Sequence, residues 1–460
     1  MKKKVVSILL SLAMMSSLVV GCSGSAEVAE TDSAAQTTEE ATTQDEKEEE
    51  VVEEAAAEDE GEITGTITVL THRTDLIDTK FADYAAKFSE MYPGTEVKFE
   101  AITDYEGDVA IRMQTEEYGD VLSLPNSVSN VDFPNYFEPF GTVDELKGQY
   151  KEAFLTAKYY DGQVYGLAST INAQGILYNK RIWKEAGIEK LPTTPEEFLA
   201  DLALIKENTD AIPYYTNAAA GWPLTQWQDH AWGSVTGDPD YHNNIMPREE
   251  NPFSEGKSNY VIHKLLYDII EQGLCENDPI TTDWESSKVR INTGEIATMT
   301  LGSWAITQCM DAGENPDDIG YMPFPYNIDG VQYSTAGADY CYAVNVHSKN
   351  KATAKAWVDF MINESGFALS EGGISLVNDS AMPDTLKDFT NVTLVSDNPA
   401  TPENDGLFDT INNDSEIALY ADAEKMRIVE AALGTSGETF DDIMNDWNER
   451  WTEAQAEDIE

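Results

Sequence analysis

A strand, a helix and a second strand follow one another between Thr66 and Ile102, and no other feature restricts the fold of this chain so strongly. The run GTITVLTHRTD places a strand at Thr66 to Leu70 and a turn at His72 to Asp75. A helix follows, with Ile77, Phe81, Tyr84, Ala85, Phe88 and Tyr92 three or four residues apart on one face, and Pro93-Gly94 stops it. Val97 to Ile102 is the second strand. So short a βαβ unit opens an α/β sheet. Open α/β sheets bind ligands beyond the carboxyl ends of their strands, which puts the loop His72-Arg73-Thr74-Asp75 in a binding position. A third short strand, Tyr118 to Leu122, carries Asp120 at its start.

The chain has 460 residues, enough for two or three domains or one large two-lobed unit. Its formal charge of −55 argues against nucleic acid and anionic membrane surfaces as partners, because phosphate binding needs clustered Lys and Arg. The cysteines Cys22, Cys275, Cys309 and Cys341 form no CxxC pair, so no zinc or redox motif is present. The last three read as buried thiols.

Met1-Lys2-Lys3-Lys4 precedes an apolar run, Val5 to Val20, that is too short to span a bilayer comfortably. It ends in Val19-Val20-Gly21-Cys22, which resembles the bacterial lipobox. That resemblance implies cleavage after residue 21, a diacylglycerol on Cys22, and a protein held on the outer face of the bacterial cell membrane. Residues 22–62 are mostly Ala, Thr, Ser, Glu and Asp with no aromatic side chain, the composition of a disordered acidic tether. About 40 such residues reach roughly 35 Å as a flexible coil.

Farther on, GEIATMTLGSWAI, Gly294 to Ile306, reads as a buried strand ending at Gly302-Ser303, after which Trp304 opens a helical run. A Gly-Ser pair at such a turn leaves backbone N–H groups and a hydroxyl facing outward at a helix start. Trp304 adds a flat apolar ring, and this pairing suits a hydroxyl-rich, ring-shaped ligand. The plain alternative is a core Trp on a capped helix. Thr194 caps a helix begun by Pro195, and Gly221 to Trp232 (GWPLTQWQDHAW) is too dense in Trp for one amphipathic helix.

These pieces occur in the order of a known family. YPGTEVKFE, YGDVLSLP, VYGLASTINAQGILYNKRIWKEAGI, LPTTPEEF, GEIATMTLGSWAI, IGYMPFP, AWVDFM, EGGI and DWNERW resemble segments of extracellular solute-binding lipoproteins of bacterial carbohydrate ABC transporters, family 1 type. The resemblance covers nearly all of residues 63–460. It implies a two-lobed periplasmic-binding-protein-like α/β fold (type II), with a sugar or oligosaccharide in the cleft between lobes. The first lobe would be 63–172 plus 339–400 and the second 173–338 plus 401–460, with the last crossing the least defined. Separate ABC permease subunits would be the partners, and the receptor a monomer without cofactor or metal.

Sugar hydroxyls need Asp, Asn, Arg, Ser and backbone partners, and sugar C–H faces need aromatic rings. Trp304 and Ser303 match the family's G-x-W ligand position. Arg73 and Asp75 either bind ligand or form a surface ion pair, and Asp120 either binds hydroxyls or caps. Trp222 and Trp227 are the favoured platforms of the Trp-dense region, while Trp284, Asp339 and Tyr340 are further ligand candidates. Trp183, Trp357 and Trp451 sit on helical faces and read as core. No intact GxSxG, HExxH or phosphate loop is present, and five histidines show no metal-ligand spacing, so no catalytic residue is assigned. The competing reading is a binding protein of the same fold for a polyamine, a peptide or an anion.

Overall fold

A computed structural model describes residues 61–389 and 391–459. Cys22, the signal segment and nearly all of the expected tether lie outside the described residues. The chain divides into two units, Met1–Glu58 and Asp59–Glu460, and everything below concerns the second.

The first sheet begins as its sequence indicates. Strand β1 (Gly65–Thr71) pairs in parallel with β2 (Thr95–Ala101), from Gly65 opposite Thr95 to Thr71 opposite Ala101. A short π-helical turn (Ile77–Phe81) leads into the helix Ala82–Met91, which buries Tyr84 and Phe88 against the sheet. Strand β3 (Val121–Ser123) lies parallel to β1 on its other side. It starts later than the sequence suggests because Gly119 takes a φ of +74°, which breaks an extended run. Strand β4 (Leu167–Ala168) forms the far edge of this sheet.

The chain then leaves for a second sheet. Strand β5 (Ile171–Asn179) is its centre, flanked in antiparallel fashion by β6 (Thr298–Gly302) on one side. On the other side β7 (Ile319–Met322) covers its second half and β8 (Gln332–Ala338) its first. Strand β9 (Cys341–Val344) returns to the first sheet between β3 and β4. Strand β10 (Val392–Val395) closes the second sheet, parallel to β8.

Two crossing segments, Ser169–Thr170 and Asp339–Tyr340, run side by side between the sheets. Ser169 N donates to Tyr340 O (3.0 Å) and Asp339 N to Thr170 O (2.9 Å). A third segment joins them through Ile374, whose N and O both bond to Ile171 at 2.9 and 2.8 Å. Gly373 must be glycine here, since a Cβ would overlap the Thr170 hydroxyl. The last crossing falls earlier than residue 400. Leu376 still accepts from Lys151 of the first lobe, but Phe389 already stacks on Tyr321 of β7 at 5.3 Å, and β10 belongs to the second sheet. Strand β10 is a four-residue run of β-branched and apolar side chains, and nothing in such a run names its partner sheet.

Trp183, Trp357 and Trp451 are buried, and so is Trp447. Thr194 caps Pro195–Asn208, with its hydroxyl accepting from Glu197 N. Cys309 and Cys341 are buried free thiols, and Cys275 is half-buried. Among the described residues no helix is long and apolar enough to cross a membrane.

Candidate functional site

A cavity of about 930 Å³ opens between the sheets where the crossing segments meet. One wall is the end of β1 and its loop: Thr71, His72, Arg73 and Asp75. Thr170 and Asp339 from the crossing segments, with Asn172 of β5, form the floor. The opposite wall is the helix Ala305–Asp311 with Trp304 before it.

Trp304 is held in place by the strand that precedes it. A Cβ on Gly302 would lie 2.6 Å from the Trp304 Nε1, so only glycine lets the indole fold back over the end of β6. Behind it stand two more indoles, Trp222 at 5.6 Å and Trp284 at 5.9 Å between ring centroids. Trp222 and Trp284 meet edge to face at 5.1 Å, and the Lys288 ammonium covers the Trp284 ring at 4.9 Å. Edge-to-face packing fixes ring orientation, so Trp304 presents a rigid apolar platform. Thr307, Gln308 and Asp311 continue the same helical face three, four and seven residues on.

The polar floor is organised by Ser303. Its hydroxyl accepts from Ala173 N (3.0 Å) and lies 3.3 Å from Asn172 Oδ1. Asn172 Nδ2 in turn donates to Asp339 Oδ2 (3.0 Å). Ser303 is fully buried and its hydroxyl is bonded inward, where the sequence suggests one facing outward. The neighbouring N–H groups are also engaged, Gly302 N with Gln226 Oε1 and Ser303 N with Ala173 O. What Ser303 contributes is the position of Asp339.

Arg73 makes two ion pairs. Its Nε and Nη2 grip Asp75 at 3.0 and 2.8 Å, and its Nη1 meets Glu371 at 2.6 Å. Glu371 also takes Lys80 at 2.6 Å. Burial opposes the Arg73 charge, but hydrogen bonds with Asp75 and Glu371 outweigh it and raise its pKa. The Arg73 hydrogen bond holds Asp75 below the usual carboxylate range. Burial pushes His72 below the usual histidine range, so it is neutral at pH 7. Its ring lies against Tyr340 at 4.3 Å, and its buried Nδ1 has no hydrogen-bond partner. Both cations in the cleft are thus matched by carboxylates, with Asp311 and Asp339 present in addition.

The structure gathers Arg73, Asp75, Trp304 and Asp339 into the cavity wall, with Trp222 and Trp284 against Trp304. Tyr340 underlies His72 and donates to Glu106 Oε1 at 2.9 Å. Two sequence candidates lie elsewhere. Asp120 accepts from Thr68 N (2.7 Å) and Ser348 Oγ (2.6 Å). It immediately precedes β3, beside Thr68 in the middle of β1, at the other end of β3 from Ser123, which lines the cavity. Trp227 is 1% exposed and packs on Phe324. It follows Trp222 by five positions in the helix Trp222–Asp229, about 140° around the axis, so the two cannot share a face. Sequence reasoning missed Asn172, Gln308, Asp311, Lys80 and Glu371 as lining residues. The helical spacing from Trp304 was a usable signal for Gln308 and Asp311. Among the described residues no three His, Cys, Asp or Glu side chains gather to hold a metal ion.

Two α/β sheets joined by adjacent crossing segments, with a lined cleft between them, define a two-lobed binding protein. The chain belongs to the bacterial extracellular solute-binding protein family, whose model matches residues 83–387. It is similar, at 38% identity, to the solved structure of a manno-oligosaccharide-specific solute-binding protein from Bifidobacterium animalis subsp. lactis in complex with mannotriose. That match covers 87% of this chain and 96% of the other, with a TM-score of 0.77. A diacetylchitobiose-binding protein of Streptomyces coelicolor is 31% identical over 39% of this chain and 43% of its own length. A multiple sugar-binding protein of Streptococcus mutans is 24% identical over 60% of this chain and 66% of its own.

Proposed function

We propose that this chain is the extracellular substrate-binding component of an ABC transporter that takes up a neutral oligosaccharide, with manno-oligosaccharides the first candidates. The observation that carries the reading is the Trp304 platform facing a polar floor of Asn172 and Asp339. A volume of about 930 Å³ is at the upper end of the roughly 300–1,000 Å³ usual for ligand pockets, room for more than one sugar ring. The 38% identity to a mannotriose-bound protein supports the same class. The protein acts without catalysis, as a monomer lipidated at Cys22 on the outer face of the cell membrane, and closes its lobes on the ligand before docking on the permease. The lobe limits we propose are 63–168 with 341–377, and 171–338 with 389–459.

The surplus of carboxylates in the cleft disfavours an anionic solute and leaves a polyamine as the second reading. Isothermal titration with mannobiose, mannotriose, diacetylchitobiose and spermidine separates the two. Saccharide binding that weakens roughly tenfold in Trp304→Ala, about 1.4 kcal/mol, supports the proposal. Binding of spermidine alone, or saccharide binding indifferent to Trp304→Ala, overturns it.

A further inference from the structure

A second, smaller pocket of about 210 Å³ opens on the second lobe, lined by His242, Phe408, Asp409 and Tyr420 among others. Its construction is unusual for a surface. The Tyr420 side chain is 47% exposed, yet its hydroxyl is fixed on His242 Nε2 at 2.6 Å, and His242 Nδ1 is fixed on Asp397 Oδ2 at 2.6 Å. Behind them the His242 ring stacks on buried Trp232 at 4.2 Å and 11°, with Phe408 edge-on at 4.5 Å. An exposed tyrosine ordinarily samples several rotamers. Here a histidine, a carboxylate and two packed rings hold one, and a ring preorganised in this way loses little entropy when a ligand stacks on it. An acceptor stands in the same pocket: Asp409 is exposed and lines it.

The pocket lies at the end of the second sheet that faces the main cleft. Strand β10 runs parallel to β8 with Val395 opposite Thr335, so Asp397 and Ala400 leave the sheet at the edge where β8 delivers Asp339 to the cleft. The segment bearing Tyr420 is also anchored to the Trp222 helix. Gly221 abuts the Asp422 carboxylate, where any Cβ would collide with it. Trp222, 36% exposed, then leads to Trp304.

We propose that the Tyr420 pocket is a distal subsite for one neutral pyranose ring of a longer oligosaccharide whose other end lies over Trp304. This rests on the oligosaccharide reading above and extends it to chain length. At about 210 Å³ the pocket is below the usual ligand-pocket range and holds one ring, not a chain. The sugar's C–H face covers Tyr420, and its hydroxyls donate to Asp409.

The test is titration calorimetry with di-, tri-, tetra- and pentasaccharides of the manno and chito series on the wild type, Tyr420→Ala and Asp409→Asn. The expected result is wild-type affinity that rises with chain length, and a rise that both variants flatten. The longest ligands then weaken about five- to tenfold while disaccharide affinity stays unchanged. Variants that bind every length like the wild type, or that lose all lengths equally, overturn the subsite and leave the oligosaccharide reading standing. A wild type that binds no saccharide overturns both. Asp409 is exposed, so its variant reports on the pocket even if Tyr420→Ala perturbs folding.

Discussion

Gly302 and Trp304 act as one unit, because the indole can lie over the end of its strand only when no Cβ intervenes. Gly302→Ala is therefore expected to leave the protein folded and weaken ligand binding several-fold, as titration of the variant will report. Asp120 behaves in the opposite way. Its carboxylate serves Thr68 N and Ser348 Oγ just before β3 and does not line the cavity, so Asp120→Ala should cost about 1–3 kcal/mol in urea unfolding and leave ligand affinity unchanged. Arg73, Asp75 and Trp304 were legible because they follow directly on carboxyl ends of strands, where α/β folds present side chains to ligand. Ser303 was legible in place but not in direction. Whether a hydroxyl faces a ligand or the next strand depends on Asn172, 131 positions away.

At the scale of elements, the first βαβ unit and the capped helix at Pro195 were readable from local periodicity and capping chemistry. The direction of Trp227 could not be read because a Trp-rich stretch hides its helical phase, which only the observed helix Trp222–Asp229 reveals. The side of the fold taken by Val392–Val395 depends on long-range pairing and has no local signal. One helix also carries a titration device. On Ser258–Glu271, His263 is fully buried with Nδ1 on Asn259 O (2.8 Å), its Nε2 without a partner, and its ring edge-on to Trp447. Burial pushes its pKa down to about 3. The folded state thus keeps His263 neutral while the unfolded chain takes up a proton below about pH 6.5, so stability falls as the pH drops through that value and goes on falling toward pH 3. Between pH 7.5 and 5 this one group should cost about 2 kcal/mol. Urea unfolding at both pH values should show the wild type losing that much more than His263→Phe, and equal losses in the two proteins would contradict the assignment.

Across the whole molecule, the formal charge of −55 has its counterpart in a cleft where each cation is matched by a carboxylate and further carboxylates remain. The overall architecture was readable only from the ordered series of motifs. Composition and periodicity gave an α/β chain of sufficient size, but not two lobes with three crossing segments, because those depend on contacts between residues such as Ile171 and Ile374. The central claim is that this cleft holds a neutral oligosaccharide. The most direct test is thermal unfolding of the protein with manno-oligosaccharides, chito-oligosaccharides, polyamines and short peptides, each well above its dissociation constant. At about 100 times that constant a specific ligand adds roughly 2.7 kcal/mol of stability and raises the melting temperature by a few degrees. A cleft that holds a neutral oligosaccharide gives that shift with oligosaccharides alone. A shift with polyamines or peptides and none with any saccharide would contradict it.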